Sequence, residues 1–222
     1  MLRGRTRLPL LAEVAGPPEG ARAWSLRRGD FEALEKALPR LEGHKVVLVT
    51  GQREVVPVAA IALAAAASAK GRRTILVECD LAQPQLAVYI GLAAIPGLHE
   101  YLRWEAEPAD VLQPVALGGP AANGSADPLA CVCGGRPASK TETLLGLQSF
   151  AHMVEKLRAG YEQVLLSGPP LLDEPGPLLT AARQADAIVA SMPASATSDH
   201  AIGKAAKRLP IPALGTVVVG GA

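Results

Sequence analysis

Residues 45–77 read KVVLVTGQREVVPVAAIALAAAASAKGRRTILV. Val46, Val47, Leu48 and Val49 form a short apolar run without alternation, the pattern of a strand buried on both faces. Pro57 is well placed in the first turn of a helix, which the sequence carries over 58–70, and Gly71 closes it. Thr74, Ile75, Leu76 and Val77 make a second strand. Strand, loop, helix and strand in this order predict two parallel strands joined by a right-handed crossover.

The alternation continues downstream. Short helices are expected near 85–90 and 98–104, a Gly/Ala/Pro loop over 118–127, and a strand over 129–133. A long helix is expected over 141–160, with Leu144, Leu145, Leu147, Phe150, Met153 and Leu157 on its apolar side. A strand at 164–166 ends in Ser167-Gly168-Pro169-Pro170. A helix at 178–184, a strand at 187–190, a helix at 199–208 and a strand at 216–219 follow. Upstream, residues 1–29 read as an extended leader containing Pro9, Pro17 and Pro18, and residues 30–222 as one domain. Asp30 offers a helix N-cap, Phe31, Leu34, Leu38 and Leu41 follow at helical spacing, and Pro39 bends or ends that helix. The fold class is therefore α/β, a mostly parallel sheet covered by helices on both faces. Ligands bind such sheets at the carboxyl ends of the strands, which here means 50–57, 78–84, 167–174 and 191–198.

Composition narrows the function. The chain has 222 residues, 49% hydrophobic and 19% charged, enough apolar material for a core and too much for a disordered chain. The net charge of +1 gives no global field for nucleic acid, and aromatics at 3% leave no stacking platform for single strands. Three cysteines do not make a disulfide framework and fit a reducing cytoplasm. The longest uncharged apolar stretch, 55–69, is short of the ~20 residues that cross a bilayer. The apolar run at 8–11, interrupted by Pro9, is too short for a secretory signal.

One ordered set of segments carries a resemblance. It comprises Glu78-Cys79-Asp80-Leu81-Ala82-Gln83-Pro84, then Gly91-Leu92, Pro96-Gly97-Leu98 and Ala109-Asp110-Val111-Leu112-Gln113-Pro114. Its last part is Tyr161-Glu162-Gln163-Val164-Leu165-Leu166-Ser167-Gly168-Pro169-Pro170. In this order and spacing, residues 45–219 resemble the cytoplasmic P-loop domain of bacterial tyrosine kinases. Those proteins control capsule and exopolysaccharide assembly and are related to the ParA/MinD ATPases. The matching family patterns are D-x-D-x-R, "GL…PGL…L", "DVIQP" and "YDYVIIDTPP". Residues 7–14 are similar to the juxtamembrane "LPVLGVIP" segment that precedes such kinase domains. The resemblance implies a P-loop NTPase-like fold of ParA/MinD type. It also implies a cytoplasmic location, membrane-associated through a partner, and as partner a membrane chain-length regulator or a kinase homologue. The family oligomerises through an E-x-x-R-x-x-R helix. Here Glu32 is followed by Glu35 and Leu38 where the arginines belong. A homo-oligomer is thus expected from the family and weakened by these residues.

The chemical motifs depart further. A phosphate-binding loop needs glycines that turn their N–H groups toward phosphate, a lysine, and a Ser/Thr for Mg²⁺. The corresponding loop is Thr50-Gly51-Gln52-Arg53-Glu54-Val55-Val56-Pro57-Val58. Only Gly51 remains, no Gly-Lys-Ser/Thr occurs, and the loop is about two residues shorter than the pattern. Val55 and Val56 resist positive φ, and Pro57 has no N–H. Glu54 would oppose a phosphate by ~4 kcal/mol per unit charge at 4 Å. Arg53 is the sole replacement cation and is expected on the wrong side of the loop. Ser167 stands at the Walker B aspartate and Gly168 at the next threonine. Ala82 replaces the arginine of D-x-D-x-R, while Glu78 and Asp80 keep acidic character. Tyr161 is the last tyrosine, so the family's C-terminal tyrosine cluster is absent from this sequence.

Gly51, Arg53, Glu78, Asp80 and Ser167 are therefore the vestigial nucleotide site. The expectation is a fold kept and phosphoryl transfer lost: a non-catalytic, kinase-like partner or regulatory domain in polysaccharide biosynthesis or export. It carries no catalytic residue, metal or cofactor, and it has no nucleic-acid partner. Two alternatives stay open. One is an active, divergent ATPase or tyrosine kinase using Mg-ATP through Arg53, Glu78 and Asp80. The other is a ParA/MinD-like positioning protein. The loop 51–57 is expected to close over the strand ends with Val55 or Val56 buried, and Asp80 to cap the helix near Pro84. Cys131-x-Cys133 with His152 reads as core rather than metal. Lys204, Lys207 and Arg208 read as a solvated basic face, without a displaced phosphate loop at Gly203-Lys204. His200 reads as a surface residue.

Overall fold

The structure, a computed structural model, describes residues 8–17, 26–115, 129–196 and 199–220. In chain order it contains β1 (Leu10–Ala15), α1 (Arg28–Ala37), a 3₁₀ turn (Leu38–Leu41), β2 (Val46–Gly51), α2 (Val56–Ala69) and β3 (Thr74–Glu78). The short α3 (Leu86–Ile90), α4 (Leu98–Leu102) and α5 (Pro108–Val111) precede β4 (Gln113–Val115) and β5 (Leu129–Val132). Then come α6 (Thr141–Leu145), α7 (Gln148–Gly160), β6 (Gln163–Ser167), α8 (Pro175–Ala182), β7 (Ala187–Pro193), α9 (Asp199–Ala206) and β8 (Ala213–Gly220).

The strands make one sheet in the order β1-β8-β7-β2-β6-β3-β5-β4, parallel except for the β4–β5 pair. This is the expected mostly parallel α/β sheet. β2 lies at its centre between β6 and β7, with Val47 opposite Leu165 on one side and Ala187 on the other. Alternate residues of each strand feed two cores. Val47, Val49, Leu76 and Leu165 face α1 and α2, whereas Val46, Leu48, Ile75 and Leu166 face α7 and α8. Every residue of α2 except Ala69 is buried. An all-apolar helix is stable only when covered on all sides. Its run of alanines lets it sit under α1 and against the sheet at once.

Two local expectations need correction. The stretch read as an extended leader contributes β1, whose residues Leu10–Ala15 pair in parallel with β8. The helix expected over 141–160 is two helices, because Leu147 is extended (φ −67°, ψ 146°) between them. Pro39 ends that helix, one of the two outcomes expected of it, and sits in a 3₁₀ turn. Residues 108–115 add α5 and the antiparallel edge strand β4. The loop expected over 118–127 lies outside the described residues. No helix among the described residues is long and apolar enough to cross a membrane.

Candidate functional site at the strand ends

The carboxyl ends of β2, β3 and β6 bring three loops together. The β2–α2 loop is a tight turn closed on itself. The N–H groups of Val55 and Val56 both donate to the Gln52 carbonyl, at 3.1 and 3.2 Å, and Gln52 N–H donates to the Ser191 carbonyl of β7 at 3.2 Å. Pro57 has none to offer. These amides bond to the protein's own carbonyls, where an anion nest would turn them outward. Val55 and Val56 are buried as expected, with 7% and 2% exposure. The neighbouring β6–α8 loop is tied to β2: Gly168 N–H donates to the Val49 carbonyl (2.8 Å), Leu171 N–H to the Gly51 carbonyl (2.9 Å), and the Thr50 hydroxyl to the Pro169 carbonyl (2.6 Å).

Arg53 sits in this turn, and its position corrects the sequence reading. It does not lie on the wrong side of the loop. Its guanidinium enters the cleft, with Nη1 on Asp80 Oδ2 and Nη2 on Asp173 Oδ2 at 2.8 Å. The turn closed by the Gln52 carbonyl places Arg53 within reach of both carboxylates. A planar fork with several donors suits two acceptors on different loops. Burial nevertheless pushes the Asp80 carboxyl above its usual range, against the opposing pull of Arg53 and the amides of Gln83 and Ala82. The nearby Asp173 charge adds to the rise.

Asp80 is not the helix cap. Its Oδ1 accepts from Gln83 N–H at 3.4 Å, within its own loop. The cap of α3 is Glu78. One of its oxygens, Oε1, accepts from the N–H groups of Gln85 and of Leu86 (2.8 Å), and Oε2 accepts from Gly134 N–H at 2.7 Å. Glu78 is 1% exposed. Its pKa is raised because loss of water outweighs these three amides. Ser167 is buried between β2 and β3, opposite Val49 and Glu78, and its carbonyl accepts from Cys79 N–H at 2.7 Å.

The five residues read from the sequence thus separate. Arg53 and Asp80 line one polar cleft of about 420 Å³ with Lys140, Glu142, Asp173 and Glu174. Gly51 lines an adjoining cleft of about 540 Å³ with Gln52, Glu54 and Leu172. Glu78 and Ser167 line neither. Sequence reasoning missed Asp173, Lys140 and Glu142. Asp173 was within reach, since it follows β6 in a strand-end segment. Nothing in the sequence joined α6 to this site.

The other candidates fall away from it. Cys131 and Cys133 are buried on the α2 side of the sheet, while His152 is exposed on α7, which packs on the opposite face. The neighbouring Cys133 thiol and burial push the Cys131 thiol well up. No cluster of His, Cys, Asp or Glu able to hold a metal occurs among the described residues. Lys204, Lys207, Arg208 and His200 are exposed on and after α9.

The raised pKa of Glu78 has a pH signature. Folded protein holds this proton more tightly than unfolded chain. The associated stability is present below the ordinary value of 4.5 and is lost as pH rises through the native value. Glu78→Gln cannot titrate there. Wild type minus Glu78→Gln is therefore expected to lose stability as pH rises from 4 toward neutrality, read from denaturation midpoints across that range. A difference that is flat or rises with pH contradicts this.

The fold has relatives among solved structures. The chimerical protein CapA2B2 superposes with a TM-score of 0.79 at 16% identity, over 96% of this chain and 94% of that chain. The BceF tyrosine kinase domain gives 0.73 at 19% identity, over 96% and 93%. The septum site-determining protein MinD from Pyrococcus horikoshii OT3, complexed with Mg-ADP, gives 0.58 at 15% identity, over 78% and 69%. No family model matches the sequence, and no curated protein does. At these identities the likeness establishes architecture: the chain has the P-loop NTPase fold found in bacterial tyrosine kinase domains and, more distantly, in MinD.

Proposed function

We propose that this chain is a non-catalytic, kinase-like domain acting as a partner or regulatory domain in polysaccharide biosynthesis or export. One observation carries the reading. The β2–α2 turn commits its Gln52, Val55 and Val56 amides to protein carbonyls, and its only cation, Arg53, pairs with Asp80 and Asp173. A nucleotide phosphate placed there finds these three amides and this guanidinium already paired, and Glu54 adds repulsion. The polysaccharide assignment rests on the ordered resemblance of residues 78–114 and 161–170 to the tyrosine kinases of that system. The fold likeness supports it. The partner this implies is a membrane chain-length regulator or a kinase homologue.

Calorimetric titration with Mg-ATP and with Mg-ADP tests the reading. No heat of binding is expected up to millimolar nucleotide. Binding in the micromolar range overturns it, and turnover of ATP with Mg²⁺ or Mn²⁺ would favour the active ATPase or kinase instead.

A further inference from the structure

The two strand-end clefts share a wall. Arg53, Pro170 and Asp173 line both of them. The partition is an ion pair between two loops, Arg53 on β2–α2 and Asp173 on β6–α8. The same guanidinium reaches a third loop, β3–α3, through Asp80. Backbone hydrogen bonds already join the first and last of these loops to each other, through Leu171 N–H and the Gly51 carbonyl. Arg53 adds the third loop through its Asp80 arm. The Arg53 side chain keeps 23% exposure and that of Asp173 keeps 54%, so solvent reaches this partition from outside.

We propose that Arg53 is a conformational latch: its guanidinium clamps the β2–α2, β3–α3 and β6–α8 loops together and divides one strand-end cavity into two, and its withdrawal loosens the loops and leaves a guanidinium-shaped cation site between Asp80 and Asp173. The inference rests on the non-catalytic reading above, in which this position belongs to the protein's own arginine. Two carboxylates that meet one planar fork at separate nitrogens select for that fork over a point charge. With the fork removed, Asp80 and Asp173 face each other unpaired. Asp80 then keeps only contacts within its own loop, to the Gln83 and Ala82 amides, and no longer ties that loop to the other two.

Hydrogen–deuterium exchange on the full chain tests this without nucleotide. Arg53→Ala is expected to speed exchange roughly tenfold in peptides covering 79–85 and 168–174, with β2 and β6 unchanged. Millimolar methylguanidinium is expected to restore protection in the variant and to leave wild type unaffected. Methylammonium, of equal charge without the fork, is expected not to restore it. Unchanged exchange in Arg53→Ala, or equal rescue by methylammonium, overturns the latch. Should Arg53→Ala fail to fold, Asp173→Asn decides. It removes one exposed arm, and faster exchange at 168–174 with 79–85 unchanged supports the proposal, whereas no change refutes it. A parallel wild-type sample with Mg-ATP separates the two readings: nucleotide protection there defeats the non-catalytic reading, while the latch is judged on the nucleotide-free samples alone.

Discussion

Glu78→Ala is expected to destabilise the fold by about 3–5 kcal/mol, the cost of leaving several buried donors without an acceptor. Gln85, Leu86 and Gly134 all donate to this one carboxylate. Gln85 and Leu86 begin α3, where the first helical N–H groups lack intrahelical partners. Gly134 follows β5, so the same side chain ties the start of a helix to a loop two strands away from β6. An added Cβ on Gly134 would meet Pro84 Cβ at 2.8 Å and Glu78 Oε2 at 3.1 Å, so glycine lets this backbone approach the carboxylate closely. Glu78→Gln keeps one acceptor oxygen for Gln85 and Leu86 but turns an amide N–H₂ toward the Gly134 donor. Its loss is expected to be smaller, about 1–2 kcal/mol. Urea denaturation of the three proteins checks the order wild type, Gln, Ala. An alanine variant within 1 kcal/mol of wild type would mean that water replaces the carboxylate. Such a result would return Glu78 to the list of groups free for chemistry.

This outcome bears on what a sequence reveals about a decayed site. The strands of β2, β3 and β6 were legible because a sheet covered on both faces demands unbroken apolar runs, and Val46–Val49 and Thr74–Val77 supply them. α2 was legible from Pro57 and Gly71 at its ends. β1 was not, because its pairing partner in β8 lies about two hundred residues away and the flanking Pro9, Gly16 and Pro17 resemble coil. The break at Leu147 was invisible for a different reason. Leu144, Leu145, Leu147 and Phe150 keep an apolar pattern across it, and one extended residue does not disturb that pattern enough to be seen. At the site, the acidic character of Glu78 and Asp80 was readable, but not what each holds. Asp80 was expected to cap the helix and Glu78 only to belong to the vestigial nucleotide site, whereas burial and loop geometry make Glu78 the cap and Asp80 the partner of Arg53. Those roles depend on which loops converge, and sequence spacing does not carry that information.

Gly51→Ala is expected to cost roughly 3 kcal/mol or more, through displacement of two central strands. A glycine here looks like the last remnant of a phosphate loop, kept so that a backbone N–H can approach an anion. The structure supplies another cause. Gly51 ends β2 beside Ser191 of β7, and a Cβ at this position would lie 1.9 Å from the Ser191 carbonyl oxygen, 2.6 Å from its Oγ and 2.7 Å from its carbonyl carbon. Ordinary contact begins at 3.4 Å, and the nearest obstacle is backbone, which cannot rotate aside as a long side chain does. β2 and β7 would have to part. The Gln52 N–H bond to that same Ser191 oxygen would go, and with it the anchor of the turn that holds Arg53. Gly160, at the end of α7 with nothing within 4 Å of an added Cβ, is the control; Gly160→Ala is expected within about ±0.5 kcal/mol of wild type. Denaturant midpoints of both variants measure the contrast. If Gly51→Ala proved as mild as Gly160→Ala, close strand approach would not be what holds glycine at this position, and its retention would have to be explained by a ligand at the loop.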